Sequence, residues 1–211
     1  MHRLIFVLGL LAQFCFSVRI LVQWIFSEKA RKVVSPSVFW LFSLIGACLM
    51  FSYGWLRDDV SILIGQLIPF YIYIENLKLK QRWLLLPNIL RCFLLLFPLA
   101  AIMGLLCDGD SLNVKFFKYE DIPLKWILLG TLGQILFTCR FIIQWIYSKR
   151  EGVSIIPPSF WLVSLIGAVI IIFYGLLRSD WVLILGHSFG VIFYIRNWII
   201  GKRWSCYEAD K

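Results

Sequence analysis

Seven stretches of this chain are each nearly free of charge and about as long as a lipid bilayer is thick, and that spacing limits the folds open to it. They fall at roughly residues 4–26, 38–56, 60–77, 84–106, 125–147, 159–177 and 181–200. A helix crossing a hydrocarbon core of about 30 Å needs about 20 mostly apolar residues, so 211 residues accommodate seven such helices with short connections. The composition agrees. Hydrophobic residues make up 61% and charged residues 16%, against about 45–50% and about 25% in soluble domains. The expected fold is an all-α, polytopic membrane protein with little chain left for a soluble catalytic domain. The first run carries Gln13, Arg19 and Gln23, and no small-x-small cleavage site follows it, so it is read as a retained span rather than a signal peptide.

The formal net charge of +9 would suit a nucleic-acid partner in a soluble chain, but here it sorts by membrane face. Twelve Lys and Arg share the face of the loop after the first span: Lys29, Arg31, Lys32, Lys78, Lys80, Arg82, Lys149, Arg150, Arg196, Lys202, Arg203 and Lys211. Six lie on the other face, and Arg19, Arg91 and Arg140 lie inside apolar runs. The positive-inside rule then puts the N-terminus outside and the C-terminus in the cytoplasm. No nucleic-acid partner is expected. Six cysteines form no C-x-x-C pair, and they read as small core residues rather than as a disulfide or a metal site.

Offset by 121 residues, 9–77 aligns on 130–198 without a gap, with 27 of 69 positions identical. The matches include Gln13/Gln134, Arg19/Arg140, Gln23/Gln144, Trp24/Trp145, Ser27/Ser148, Pro36/Pro157, Phe39-Trp40/Phe160-Trp161, Ser43/Ser164, Gly46-Ala47/Gly167-Ala168, Tyr53-Gly54/Tyr174-Gly175, Gly65/Gly186, Tyr73/Tyr194 and Asn76/Asn197. An odd helix between two three-helix units makes both enter the membrane from the same side, as parallel repeats about an axis along the membrane normal, an arrangement common in transporters. The resulting organisation is a first repeat at 1–80, a linker helix with an outer loop at 81–124, a second repeat at 125–200 and a cytoplasmic tail at 201–211. Duplication can also serve only to complete a stable bundle. The shared polar residues argue for more: at 100° per residue, Gln13, Arg19, Gln23 and Ser27 fall in one sector of the first span, and Phe39, Ser43, Gly46 and Tyr53 share a face of the second. Such faces imply an internal seam or cavity.

Arg19 and Arg140 carry most of the chemistry. An intramembrane arginine costs on the order of 2.5–3.5 kcal/mol on insertion scales, and both copies hold one with no Asp or Glu deep in any run. Either the side chains snorkel to the cytoplasmic headgroups or bind freed backbone carbonyls, or the guanidinium forks receive an anion such as a phosphate. Gln13, Gln134, Gln23 and Gln144 can hydrogen-bond sugar hydroxyls or join helices. Trp40, Trp161, Gln66, His187, Asn76 and Asn197 complete the candidate substrate-binding set, with helix packing the plainer role for His187. Pro36 and Pro157 start the second span of each unit, with a hinge as the alternative. Arg57 with Asp59 and Arg178 with Asp180 read as solvated pairs, and the aromatic, charged stretch 107–124 as a loop or a short interfacial segment. No H-E-x-x-H, Walker or G-x-S-x-G motif is present, so no catalytic residue, metal or cofactor is expected.

The doubled pattern G-x3-Q-x5-R-x3-QW-x2-S followed by P-x2-FW-x2-S-x2-GA-x5-YG-x2-R-x-D-x5-G resembles the lipid A biosynthesis N-terminal domain, the small membrane domain found at the N-terminus of some lipid-A-disaccharide synthases, here in tandem. That domain in turn resembles, by architecture, the PQ-loop and SWEET/SemiSWEET sugar transporters, with their three-helix units, linker helix and outside N-terminus. The resemblance implies a 3+1+3, SWEET-like fold in a Gram-negative inner membrane and a part in lipid A, lipopolysaccharide or lipid-linked saccharide metabolism. Since the helices and loops use all 211 residues, no glycosyltransferase domain and no synthase activity are expected. Three functions stay open: translocation of an anionic glycolipid or lipid-linked sugar, a non-catalytic anchor for a lipid A glycosyltransferase, and uniport of a small sugar. Membrane lipid is a partner in each.

Overall fold

The computed structural model describes residues 2–56, 60–107, 124–177 and 181–209. Among these residues it is all helical, with seven α-helices, one 3₁₀ turn and no strand. The helices are α1 (His2–Ala30), α2 (Ser37–Leu56), α3 (Val60–Leu79), α4 (Asn88–Cys107), α5 (Leu124–Glu151), α6 (Pro158–Leu177) and α7 (Trp181–Ala209), and the 3₁₀ turn is Trp83–Leu85. Each coincides with an apolar run, but α1, α5 and α7 outrun theirs by about a turn or more at the C-terminal end. Hydrophobicity stops there while helix propensity continues through Glu28-Lys29-Ala30 and Lys149-Arg150-Glu151. Four helices are long and apolar enough to cross a membrane among the described residues: α1 over Ile5–Ala30, α2, α5 over Leu128–Glu151, and α6. α4 contributes a shorter apolar stretch, Asn88–Gly104. Of the stretch 107–124, residues 108–123 fall outside the described residues, as do the pairs Arg57–Asp59 and Arg178–Asp180.

Local chemistry sets the helix ends. Arg31 and Gly152, which share a repeat position, follow α1 and α5 in the left-handed region, at φ 54° and 67°. At the end of α3, Gln81 is also left-handed (φ 55°). Its amide donates to the Lys78 carbonyl at 2.8 Å and that of Arg82 to the Leu77 carbonyl at 2.9 Å, the paired bonds of a Schellman motif. Pro36 and Pro157 stand just before α2 and α6, where their carbonyls accept the amides of Phe39 and Phe160, each at 3.0 Å. Both prolines thus open a helix, as the sequence suggested.

Packing runs α1 on α2 on α3 and α5 on α6 on α7; the two sets meet along α3–α5 and α1–α7, and α4 lies against α2 and α3. Close approach needs the paired glycines. A Cβ on Gly46 would come within 2.6 Å of the Phe16 ring, and one on Gly167 within 3.3 Å of the Gly133 carbonyl oxygen. The core is aromatic, built on Phe39, Trp40, Phe51, Phe70, Tyr73, Phe141, Phe160 and Trp161. The outside is apolar too, with Phe14, Leu96 and Ile192 each more than 60% exposed. Water would not support such a surface, and the acyl chains of a bilayer would. Cys15, Cys48, Cys92 and Cys139 are free; Cys15 is buried and Cys48 and Cys139 are half-buried, but Cys92 is exposed, so the core role expected of the cysteines fails for Cys92.

Candidate functional site

Arg19, Gln23 and Ser27 are spaced four residues apart on α1, so they stack along one face, and Arg140, Gln144 and Ser148 do the same on α5. The stacks build three polar layers, one above another, inside the bundle.

The first layer is the arginine pair. Arg19 is 5% exposed and Arg140 2%. Arg19 Nη1 donates to Ser43 Oγ at 3.1 Å and to Tyr73 Oη at 3.0 Å; Arg140 Nη1 donates to Ser164 Oγ at 3.3 Å and to Tyr194 Oη at 3.4 Å. The serines can accept because their own protons go to the carbonyls of Phe39 (2.6 Å) and Phe160 (2.5 Å) four residues earlier. Aromatic faces supply the rest of the cation's solvation. Arg19 Cζ lies 4.5 Å from the centre of the Phe16 ring and 5.6 Å from that of Phe39, and Arg140 Cζ lies 3.5 Å from Phe137 and 5.3 Å from Phe160. Phe141 serves both, at 5.5 Å from Arg19 and 4.6 Å from Arg140, so the two cations are at most about 10 Å apart. Among the described residues neither arginine has a carboxylate partner, and Nε of each is buried without a hydrogen bond. The snorkelling alternative finds no support in this geometry, since hydroxyls and rings hold the guanidinium groups inside the bundle.

One turn further along α1 and α5 lies an amide layer that crosses between the repeats. Gln144 Nε2 donates to Asn76 Oδ1 at 2.8 Å and Gln144 Oε1 accepts from Asn76 Nδ2 at 3.0 Å. Gln23 Nε2 donates to Asn197 Oδ1 at 3.0 Å. All four side chains are fully buried. The third layer ties down the loops. Ser27 Oγ accepts the Val34 amide at 3.1 Å and Ser148 Oγ that of Ile155 at 3.0 Å. Across the seam Ser35 Oγ donates to the Ser154 carbonyl at 2.5 Å. Trp40 Nε1 donates to Ser154 Oγ at 2.9 Å, while Trp161 Nε1 has no partner among the described residues.

The other candidates lie on the far side of the arginines. Gln13 and Gln134 are exposed, each beside a glycine of the opposite repeat: Gln13 Oε1 is 4.0 Å from where a Cβ on Gly186 would be, and Gln134 Nε2 3.6 Å from that on Gly65. His187 is half-buried and sets its ring edge-on to Phe137 with centroids 4.8 Å apart, next to the ring under Arg140. Gln66 is half-buried. Sequence reasoning chose the arginines and glutamines but left out Tyr73, Tyr194, Ser43 and Ser164, although all four recur in register and that recurrence was the available signal. Phe141, Ser35 and Ser154 differ from their repeat mates Ile20, Ile156 and Val33, so the repeat could not mark them.

Comparison with known proteins matches the same register. The family described as the Lipid A Biosynthesis N-terminal domain matches twice, over residues 8–78 and 129–199. The chain is 30% identical over 204 residues to a lipid-A-disaccharide synthase of Chlamydia abortus, an alignment that covers 92% of this chain and 32% of that one. It is 29% identical over 201 residues to the lipid-A-disaccharide synthase of Chlamydia pneumoniae, covering 92% of this chain and 33% of the relative. The enzyme of that name from Chlamydia trachomatis serovar D is 30% identical over 206 residues, with 93% and 34% covered. The chain thus spans about a third of the length of the curated relatives it matches. No solved structure matches it.

Proposed function

The chain belongs to the lipid A biosynthesis N-terminal domain family, as a tandem pair of that domain, and from this premise we propose that it binds and moves an anionic, lipid-linked saccharide across a bacterial inner membrane. In this reading all seven helices span, as two parallel three-helix repeats joined by α4 in the 3+1+3 manner of SWEET transporters. The N-terminus is outside and the C-terminus cytoplasmic, with Lys29, Arg31, Lys32, Lys149 and Arg150 at the cytoplasmic ends of α1 and α5. Arg19 and Arg140 hold the phosphate or diphosphate of the headgroup, and Gln13 and Gln134 meet saccharide hydroxyls at the mouth of the seam.

One observation carries the reading: two arginines buried about 10 Å apart at most, without a carboxylate partner among the described residues and with both Nε atoms unbonded. A buried cation without a counter-ion is costly, and such residues in membranes mark ligand or ion pathways. A phosphate would answer the charge and accept the free N–H groups through the planar fork that guanidinium presents.

The protein reconstituted in vesicles, with a fluorescent phosphate-bearing lipid-linked saccharide and the same saccharide free of lipid, tests this. The expected result is movement of the lipid-linked substrate alone, reduced at least ~10-fold in Arg19→Gln and in Arg140→Gln, as loss of a charge-assisted contact predicts. Binding and movement left intact in both variants would sink the proposal. Movement of the free saccharide alone would identify a uniporter. A second reading has its own support in the relatives' length: their names are those of synthases about three times as long as this chain, so the tandem domain would anchor a lipid A glycosyltransferase without catalysing sugar transfer. In that case neither substrate moves.

A further inference from the structure

At both contacts between the repeats, the first helix of one repeat lies against the third helix of the other, and the amides fix the register. Gln23 on α1 meets Asn197 on α7, and Gln144 on α5 meets Asn76 on α3. The charged residues beside these amides are the places where the repeats differ most. Glu28, five positions after Gln23, matches Lys149, five after Gln144; Glu75, just before Asn76, matches Arg196, just before Asn197. Across α1–α7 the charges bond, with Arg196 Nη2 donating to Glu28 Oε2 at 3.0 Å. Across α3–α5 the same register sets Lys149 on one side and Glu75 on the other, so the signs are exchanged and still opposite. There each also has a partner on its own repeat: Lys149 Nζ lies 5.3 Å from the centre of the Trp145 ring, and Glu75 accepts from Lys78 at 2.7 Å. The loops are matched in the same sense. Ser35 meets Ser154, their Oγ atoms 3.2 Å apart, while their repeat mates Ile156 and Val33 are both apolar.

A repeat facing a copy of itself would lose the match in charge. First repeat on first repeat would set Glu28 against Glu75 at both contacts, and second on second would set Lys149 against Arg196. Only unlike repeats bring opposite charges together on both seams. We propose that the seam face of each repeat is an interaction surface selective for the unlike repeat, with Glu28, Glu75, Lys149 and Arg196 as its specificity determinants. Exposed ion pairs add little to stability, but specificity is a difference between partners, to which repulsion of the wrong one contributes as much as attraction of the right one. Charges beside an apolar seam choose helix partners in coiled coils by the same physics. The selection rests on the seam alone and holds whether the chain moves a substrate or anchors an enzyme.

Three full-length variants test it. Lys149→Glu with Arg196→Glu gives a chain whose seam charges are all acidic, Glu28→Lys with Glu75→Arg gives one whose seam charges are all basic, and the four substitutions together restore opposite charges with every sign reversed. Each is co-expressed as two differently tagged copies, and the acidic and basic chains are also co-expressed with each other, for co-purification in mild detergent. The acidic and basic chains are expected to co-purify at least ~5-fold more than two native copies do, by exchanging halves so that every repeat meets its opposite. Each with itself, and the fourfold variant with itself, should remain near the native level. A chain that accumulates only in the presence of its opposite would uphold the proposal as well. Acidic and basic chains that co-purify no more than native copies do, or no more than each does with itself, would overturn it. Raised self-association of the fourfold variant would also overturn it, because the substitutions would then be loosening the bundle whatever their match.

Discussion

Arg19 and Arg140 are expensive residues in an inexpensive neighbourhood. Each sits among phenylalanines, with a serine and a tyrosine hydroxyl as its hydrogen-bonding partners. The rings recover part of the lost solvation, since a desolvated cation–π contact is worth up to ~2 kcal/mol. They do not replace a counter-ion. Removing a buried charge together with its polar partners is often neutral or stabilising, by about 1–4 kcal/mol, when volume is kept. The triple variant Arg19→Met, Ser43→Ala, Tyr73→Phe is therefore expected to unfold at the same temperature as the native protein or a few degrees above it, as read by thermal denaturation in detergent. A fall of about 10 °C would mean that the arginine network holds the bundle together, and the case for an anion site would lose its energetic basis. The sequence exposed these residues because the repeat doubled them. It did not expose Phe141, whose ring serves both cations, since position 20 in the other copy is isoleucine.

At the scale of the helix, the repeat provides its own control. α1 and α5 end at matched positions in the left-handed conformation, yet one copy places Arg31 there and the other Gly152. A residue with a Cβ is about 1–2 kcal/mol less stable in that region than glycine, whereas Gly has the larger entropy in the unfolded chain. Arg31→Gly should raise stability by about 1 kcal/mol and Gly152→Arg should lower it by about as much, each shifting the melting temperature by roughly 2–4 °C in a protein of this size. Shifts of the same sign in both variants would show that contacts of the arginine side chain, not backbone conformation, govern these ends. The apolar runs located every α-helix among the described residues, because some twenty residues nearly free of charge have little alternative in a membrane. They misplaced the C-terminal ends of α1, α5 and α7, because the signal in the sequence was hydrophobicity and the helices run on in polar residues that favour them.

At the scale of the whole molecule, the two repeats are joined through amides. The cross-pairing of Gln144 with Asn76 and of Gln23 with Asn197 binds α5 to α3 and α1 to α7, and Glu28 adds a pair to Arg196 across the same α1–α7 seam, with Arg196 Nη2 at 3.0 Å. That ion pair is exposed and contributes little; the amides are buried and contribute more. The load is unequal, because Asn76 serves Gln144 twice and Ser154 once, whereas Asn197 Oδ1 serves Gln23 alone. Asn76→Ala is therefore expected to cost about 2–3 kcal/mol and Asn197→Ala about 1–2 kcal/mol, at roughly 1 kcal/mol for each buried partner left unmet. Equal losses, measured by denaturation in one detergent, would contradict this asymmetry. From the chain alone came the helical class, the number of α-helices among the described residues and the doubled register with its recurring polar residues, because hydrophobic run length and recurrence at a fixed offset are written locally. Only the packed structure decided that Gln23 and Gln144 each meet the asparagine of the other repeat, that two arginines converge on Phe141, and that Ser154 satisfies Trp40 where Trp161, beside the matching Val33, is without a partner among the described residues. A hydrogen bond or a stacked ring depends on which helix lies opposite, and residues 174 positions apart, as Gln23 and Asn197 are, carry no mark of that meeting until the bundle has closed.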